Sequence, residues 1–542
     1  MKYIVITGGV ISGLGKGITA SSIGLLLKNK GYSVTSIKID PYLNIDAGTM
    51  SPLEHGEVYV LNDGTETDLD LGNYERFLNI ELHKNHNITS GNIFKHIIDD
   101  ERKGKYLGQT VQIIPHVTNK IQEIISTTAT IIVDKNNKPN ICIIELGGTI
   151  GDMESMYFVE ALRQMNYTSQ ENTFCFIHLS LIVNNNNEEK TKPTQNSVCE
   201  LRRLGINPNI LILRSENDIS NEIKEKVSLH CQVKKDHIFT NINLNHIYEV
   251  PIHLYNQQII NVIEKDLNIN NKNTVNLSLL NNINNLLCNP TATSKNIAII
   301  GKYTKLNDTY LSIHRSLQHA AYSYNTNVNI IYIDSEEFAI HNCNDIIKSN
   351  INNIHGIIIP GGFGSRGLEG MINIASYTRK NNIPTLGICL GMQIMCIEAA
   401  RNILYNKKCI SVESLKDDDN RDNYYPIIIP MKELNYDEMG GTMKLGLKKS
   451  FITNKESLAY KIYNSNEVFE RHRHRYEVNP DYINVIESNG ILFSAFDKSG
   501  KCADIIEDNT CKFYIGCQFH PEFKSSIEKP SPIFKSFINT LI

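Results

Sequence analysis

Cys389 stands in the run GICLGMQ (Gly387 to Gln393), and His520 and Glu522 stand in CQFHPEF far downstream. A thiol, an imidazole and a carboxylate are the nucleophile, base and orienting group of acyl transfer. Either run alone is uninformative, because buried cysteines after strands and surface His-Pro-Glu sequences are common. Their context is more telling. GICLGMQ follows a strand-like IPTL and opens a helical stretch, the setting of a nucleophile elbow, and glycines 387 and 391 permit the tight turn. Cys389 would then sit at a helix N-terminus, where the dipole and His520 favour the thiolate. GGFGSRG (Gly361 to Gly367) lies upstream. Backbone amides near Gly361, Gly362 and Leu390 could take the charge of a tetrahedral intermediate.

A second constellation lies at the other end of the chain. The first strand runs into TGGVISGLGKGITASS (Thr7 to Ser22), and the stretch to Asn29 reads as a helix ending at Gly31. Amides of such a loop and helix N-terminus cradle phosphates, and Lys16 adds a point charge where phosphates are split or transferred. The GxxxxGK[ST] pattern is not met: it would need glycine at Val10 and a hydroxyl at Gly17. Magnesium must therefore lean on carboxylates, and Asp70 in ETDLDLGNYERF and Glu145 at a strand end are placed to serve.

The elements that must hold these groups follow from hydrophobic patterning. Tyr3–Thr7, Val34–Ile39, Ile141–Glu145, Phe174–Val183 and Ile210–Leu213 are continuous apolar, β-branched runs separated by helical stretches. Such runs predict a buried parallel sheet covered by helices. After Asp266–Lys295, an Asn-rich stretch with helical leucine spacing, the same grammar restarts at Ile297–Ile300, Val328–Ile333, Gly356–Ile359 and Pro384–Leu386. The expected fold is α/β, two doubly wound domains, over residues 1–265 and 296–542, with 266–295 as a linker containing a short helix. The Asn184–Asn187 run predicts a loop. No repeat of solenoid period occurs.

Composition bounds the function classes. In 542 residues the net charge is −4, with 41% apolar and 21% charged residues, the values of an ordinary globular protein. Nothing here predicts a nucleic-acid or membrane partner. No apolar stretch approaches a membrane span, and the first strand leaves no room for a signal peptide. Twelve cysteines without a CxxC pair predict reduced thiols and a cytoplasmic protein. The cluster ERHRHRYEV (Glu470 to Val478) reads for most of its length as a solvated basic loop rather than a metal or nucleic-acid site.

In order along the chain, GGVISGLGKG, KIDPYLNIDAGTMSPLEHGEV, DLDLGNYERF, YLGQTVQIIPHVT, IELGGTIGDMES and KTKPTQNSV resemble the synthetase domain of the CTP synthase family. The second half resembles its class I glutamine amidotransferase domain. The resemblance covers nearly the whole chain, and the wording at both ends is similar to the eukaryotic branch. It implies a dethiobiotin-synthetase-like, P-loop-type N-terminal domain. It also implies a ligase of pyrimidine biosynthesis that phosphorylates the uracil O4 of UTP with ATP and displaces the phosphate with ammonia from glutamine.

By motif match, the resemblance carries roles to residues. Gly13, Leu14, Gly15, Lys16, Gly17, Ile18, Lys38 and Asp70 would bind ATP, with Asp70 and Glu145 holding Mg. Ser12, Asp152, Met153, Glu154, Lys190, Thr191, Lys192, Pro193, Thr194, Gln195 and Lys226 would contact UTP or the inhibitor CTP. Gly362, Leu390, Gly391, Met392, Gln393, Glu413 and Arg475 would bind glutamine. Cys389, His520 and Glu522 would hydrolyse it. His55 and the loop Lys105–Gln109 would line an ammonia passage, and Phe363 and Arg366 would lie near the activator GTP. Glu413 stands where the family's wording is loosely kept, shortly before the insertion DDDNRDN. A homotetramer is implied, with filament contacts near His355.

Two other classes share parts of this pattern. Amidotransferases of the cobyric acid synthase kind share the architecture but lack the KTKPTQ run and the full HPE spelling. A non-catalytic assembly protein would have no use for an intact Cys389, His520 and Glu522.

Overall fold

The computed structural model describes residues 1–135, 137–185, 188–289, 293–350, 354–404, 408–415, 424–431 and 443–542. Two compact units emerge, Met1–Ala47 with Asp70–Asn285, and Gly48–Leu69 with Leu286–Ile542. The division differs from the expected boundaries in two respects, the first being that residues 266–295 are shared between the units, which part after Asn285. Gly48–Leu69, which carries PLEHGEV, groups with the C-terminal unit.

In the first unit, seven strands form a parallel sheet: β1 Lys2–Gly8, β2 Val34–Asp40, β3 Asn87–Thr89, β4 Ile141–Leu146, β5 Phe174–Leu181, β6 Ile210–Ser215 and β7 Ile238–Ile242. Their order is β7-β6-β5-β1-β4-β2-β3. All seven residues of β2 and all six of β4 are buried, which is why these strands read as unbroken apolar runs. Helix α1 (Lys16–Asn29) follows β1 directly, and helices α2 (Leu69–Leu78) and α3 (Lys192–Arg203) carry further site residues. β1 lies between β4 and β5, so the crossovers diverge on either side of it. That switch point is where open α/β sheets bind ligands.

The Asn-rich stretches resolve differently from each other. Helix α4 (Ser278–Cys288) is the short helix expected inside 266–295, and it buries Leu280 and Ile283; residues 290–292 of that stretch lie outside the described residues. Asn184, expected in a loop, belongs to a short strand, Val183–Asn185, that pairs antiparallel with Glu188–Lys190. Backbone pairing overrides the low strand propensity of asparagine there. Residues 186 and 187, and the DDDNRDN insertion, lie outside the described residues.

The second unit is built on a nine-stranded mixed sheet of β8 Ser294–Gly301, β9 Asn327–Asp334, β10 Gly356–Ile359, β11 Thr385–Ile388, β12 Lys444–Ile452, β13 Glu467–His474, β14 Leu492–Phe496, β15 Ala503–Glu507 and β16 Tyr514–Cys517. The order is β9-β8-β10-β11-β16-β15-β14-β12-β13. β8 to β11 and β16 run parallel, and the remaining pairs are antiparallel.

The expected basic loop at Glu470–Val478 is instead largely strand β13. Arg471, His472 and His474 are at most 2% exposed. The reason lies in Gly48–Leu69, which supplies acceptors to buried Arg471 and half-buried Arg473. Arg471 donates to Val60 O at 3.0 Å and to Asn62 Oδ1 at 2.6 Å, and Arg473 Nε donates to Glu66 Oε1 at 2.8 Å. Tyr59 Oη donates to Phe523 O at 2.6 Å. The Glu57 carboxylate accepts the backbone N–H of Ser312 at 3.1 Å, in the first turn of helix α5 (Leu311–Ser323), where a negative charge is favoured. A charged sequence thus becomes a core strand because each cation has an oxygen partner from a distant segment.

Candidate functional site

Cys389 occupies the single position between β11 and helix α6 (Leu390–Leu404), with φ of 53°. Such left-handed backbone is uncommon for a residue with a Cβ and is held here by its surroundings. Cys389 N–H donates to Cys517 O at 2.7 Å. The flanking glycines are required by close approach: a Cβ on Gly391 would lie 2.0 Å from Ile359 O, and one on Gly387 would lie 2.8 Å from Gly391 C. The elbow therefore fixes Sγ at the carboxyl end of the parallel strands.

His520 follows β16 and reaches the same end of the sheet. His520 Nδ1 and Glu522 Oε1 lie 2.7 Å apart, which orients the ring. Burial opposes the imidazolium, but the Glu522 carboxylate and the Cys389 sulfur outweigh it and raise His520 to about 10. A thiol, an imidazole and a carboxylate are thus assembled. Pro52, Glu57, Val58, Tyr303, Tyr310, Gly361, Gly362, Phe363, Arg473 and Phe523 line one cleft with them.

The loop Gly361–Gly364 forms one wall. A Cβ on Gly361 would lie 3.0 Å from His520 Cε1 and 3.5 Å from Cys389 Cβ, so only glycine lets the backbone amides approach the thiol this closely. Glu413 Oε1 accepts the Gly364 N–H at 2.7 Å, which brings this expected residue onto the loop. From the other side the buried Lys302 Nζ donates to Phe363 O at 3.2 Å and also to Gly364 O, and burial lowers its pKa to about 8. Sequence reasoning missed Lys302. The glycine-lysine step after a strand was its only signal.

The other expected glutamine contacts divide into two sets. Gly362 lines the cleft, whereas Leu390 and Met392 turn buried side chains into the core and Gly391 serves the elbow. Gln393 donates to Tyr476 O at 3.0 Å and to Gln518 Oε1 at 3.1 Å. Arg475 is not among the residues lining the cleft, whereas Arg473, two residues earlier, is. Arg366 pairs with Asp334 and Glu336 at 3.3 and 3.2 Å, and Phe363 lies 5.1 Å from the Arg473 guanidinium. His55 ends the helical turn Pro52–His55 with a half-exposed ring. His355 Nδ1 accepts Asn296 N–H at 3.1 Å, just before β10. Gln518 was also missed: its Nε2 lies 3.6 Å from Cys389 Sγ. It stands in the same CQFHPEF run as His520, two residues earlier and just past the end of β16.

In the first unit, the glycine loop between β1 and α1 holds Gly13 and Gly15 at φ of 74° and 83°, and Val10 at 82°. Val10 therefore takes the left-handed backbone that the standard pattern would assign to glycine. Ser12 and Gly13 are exposed, Leu14 anchors the loop in the core, and Ile18 is half-buried. Lys16 Nζ donates to Gly148 O at 2.7 Å, and burial lowers its pKa.

Lys38 on β2 pairs with Asp70 Oδ2 at 2.5 Å and Asp40 Oδ1 at 3.0 Å. Its neighbour in register is Glu145 on β4, whose carboxylate accepts from Tyr74 Oη. Burial and the nearby Asp70 charge raise the pKa of Glu145. Both carboxylates face Gly17. Two acids beside a phosphate-type loop suit Mg, which binds through one or two carboxylates and completes its shell with phosphates and water.

The expected pyrimidine contacts fall at Asp152–Glu154 and around the start of α3. Asp152, Met153 and Glu154 are exposed, and Asp152 Oδ2 accepts Thr149 N–H at 3.1 Å. Lys190 pairs with Glu188 at 2.5 Å, and Lys190 and Lys226 both lower the pKa of that glutamate, so they lie in one neighbourhood. Lys192 and Pro193 open α3. Thr191 Oγ1 accepts from Gln195 Nε2 at 3.0 Å. Thr194 is fully buried and bonded to Ser180 and Leu181, so its hydroxyl serves the fold.

Residues 2–269 match the family described as CTP synthase N-terminus, and residues 305–540 match Glutamine amidotransferase class-I. The chain is 46% identical to CTP synthase 2 of Xenopus laevis, covering 99% of this chain and 94% of that protein. It is 46% identical to CTP synthase of Methanococcus aeolicus over 100% of this chain and 99% of the other. A solved Trypanosoma brucei CTPS glutaminase domain with bound acivicin is 34% identical, covering 46% of this chain and 93% of that one, with a TM-score of 0.42.

Proposed function

The chain belongs to the CTP synthase family, and from that premise we propose how its residues divide the conversion of UTP to CTP with nitrogen from glutamine. It is a glutamine-hydrolysing ligase that forms a C–N bond. The observation that carries the division is that each unit holds a complete chemical set of its own. Cys389, His520 and Glu522 serve one half-reaction, and Lys16, Lys38, Asp70 and Glu145 serve the other.

In the glutaminase half, Cys389 attacks the carboxamide carbon and forms a thioester. The loop amides of Gly361 and Gly362, with that of Leu390, take the oxyanion charge. His520, protonated at neutral pH, delivers its proton to the departing nitrogen and then activates water. Glutamate and ammonia leave.

In the synthetase half, ATP phosphorylates O4 of UTP, because an unmodified carbonyl oxygen is a poor leaving group. The glycine loop holds ATP, and Lys16 and Lys38 neutralise charge on the transferring phosphoryl group. Asp70 and Glu145 would hold Mg, which supplies further charge neutralisation on the phosphates when bound. Lys190, Lys192 and Lys226 answer a triphosphate, so CTP would compete with UTP. Ammonia displaces phosphate from the 4-phosphorylated intermediate. His55 guards the ammonia, GTP activates near Phe363 and Arg366, and the protein works in the cytoplasm as a homotetramer.

The deciding experiment mixes the protein with UTP, ATP and magnesium and follows CTP with glutamine or ammonium as nitrogen source. CTP from both sources is expected. Its absence from both overturns the reading.

A further inference from the structure

We propose that Gln518 is a catalytic residue of the glutaminase site, which donates its side-chain N–H to the Cys389 sulfur whenever that sulfur carries charge. The inference deepens the reading of Cys389 as the nucleophile and rests on it.

A chain of obligate acceptors sets the direction of the donor. Tyr476 O can only accept, so the end of the Gln393 amide 3.0 Å from it is the NH2 group. The same NH2 lies 3.1 Å from one end of the Gln518 amide, which must then be the oxygen. The other end, Nε2, therefore faces Cys389 Sγ at 3.6 Å. Gln518 is 1% exposed, so water cannot take its place.

The neutral thiol has a different partner. Arg473 O lies 3.6 Å from Sγ and accepts S–H. A thiolate has no proton to give, and only then is the Gln518 N–H a matched donor. His520 supplies the charge that balances the sulfur, and Gln518 supplies the directional bond. The same contact acts twice in a turnover. Before acylation it stabilises the thiolate. In thioester hydrolysis, water adds to the carbonyl, the C–S bond breaks, and its electron pair returns to Sγ beside the same N–H.

The variant Gln518→Met, of similar length, removes the donor without placing a charge beside the sulfur. Alkylation of Cys389 by iodoacetamide is read on its own peptide by mass spectrometry across pH, which needs no turnover. His520, Glu522, Glu57, Arg473, Tyr303 and Tyr310 line the cleft with Cys389 and Cys517 interacts with its sulfur, and all are unchanged in the variant. Loss of one hydrogen bond to a charged atom predicts alkylation at pH 7 slowed by roughly 10-fold or more, a midpoint moved to higher pH, and kcat for glutamine hydrolysis lowered by about 10- to 100-fold.

Gln518→Leu, also uncharged and without a donor, carries the test if the methionine variant does not fold, and the same direction is expected. CTP formation from ammonium checks that either variant is folded. Wild-type alkylation rate and midpoint in a folded variant overturn the proposal, whatever happens to hydrolysis. If the wild-type protein releases no ammonia from glutamine, the reading of Cys389 falls instead, and the alkylation comparison still judges the hydrogen bond.

Discussion

A Cβ on Gly17 would lie 2.4 Å from Asp70 Oδ1 and 3.5 Å from Glu145 Oε2. Gly17 stands where the standard phosphate loop carries a hydroxyl residue. Here its missing side chain makes room for two carboxylates. Gly17→Ala should push the acids apart and lower CTP synthesis from either nitrogen source by at least 10-fold, while glutamine hydrolysis survives. Synthesis at the wild-type rate would show that the acids need not stand there.

Cys389→Ala should abolish CTP formation from glutamine and leave formation from ammonium largely intact, because the thiol acts only on the carboxamide. Lys16→Ala should stop both routes, because the lysine acts before ammonia arrives. Parallel assays with the two nitrogen sources decide both. Loss of the ammonium route in Cys389→Ala would make Cys389 structural.

The pH dependence of the glutaminase follows from His520, raised from 6.5 to about 10. A histidine raised on folding contributes stability fully present below 6.5 and lost as pH climbs through about 10. The proton needed by the leaving nitrogen is lost over the same upper limb. Glu522→Gln removes a principal group holding that proton. The basic limb of kcat/KM should move to lower pH, with hydrolysis at pH 8 reduced by about 10-fold or more. An unmoved limb would assign it to another group.

Glu470, buried on β13, is raised from 4.5 to about 7 by burial, and accepts a hydrogen bond from Tyr463 Oη at 3.0 Å. A carboxyl raised on folding stabilises most below 4.5, and that contribution is lost as pH rises through about 7. Glu470→Gln keeps the acceptor without the charge. It should raise Tm at pH 8 by roughly 2–4 °C and change it little at pH 5. Equal shifts at both pH values would refute a charge effect.

The pair of half-buried Arg473 and buried Glu66 joins β13 to the Gly48–Leu69 segment inside one unit. Glu66→Ala leaves a half-buried guanidinium without its carboxylate. Thermal unfolding of the variant should show a loss of roughly 3 kcal/mol, together with weakened glutamine hydrolysis, because Arg473 also lines the cleft. Unchanged melting would mean that the segment is held by its other bonds.

Much of the sites was legible in advance where chemistry is local. The elbow around Cys389, the His520–Glu522 step and the strand-loop-helix at Lys16 each occupy one short run, so residue type and turn chemistry suffice to find them. Five of the seven strands of the first sheet and β8 to β11 of the second were legible for a similar reason, since burial on both faces leaves continuous apolar runs. The segment ERHRHRYEV was misread because periodicity carries no information about who neutralises a charge. Arg471 and Arg473 read as solvent-facing until Val60, Asn62 and Glu66, about 400 residues away along the chain, are brought beside them.

By itself the sequence determined the reacting groups and the order of elements that present them, because a motif compresses turn, strand and helix into contiguous residues. Only the tertiary structure decided that Gly48–Leu69 packs into the glutaminase unit, that Glu413 ties down the Gly361–Gly364 loop, that Gly17 makes room for Asp70, and that Gln518 aims its N–H at Cys389. Each of these is a side-chain contact between residues on separate elements. Such contacts depend on packing and burial in three dimensions, which no local pattern of residue types records.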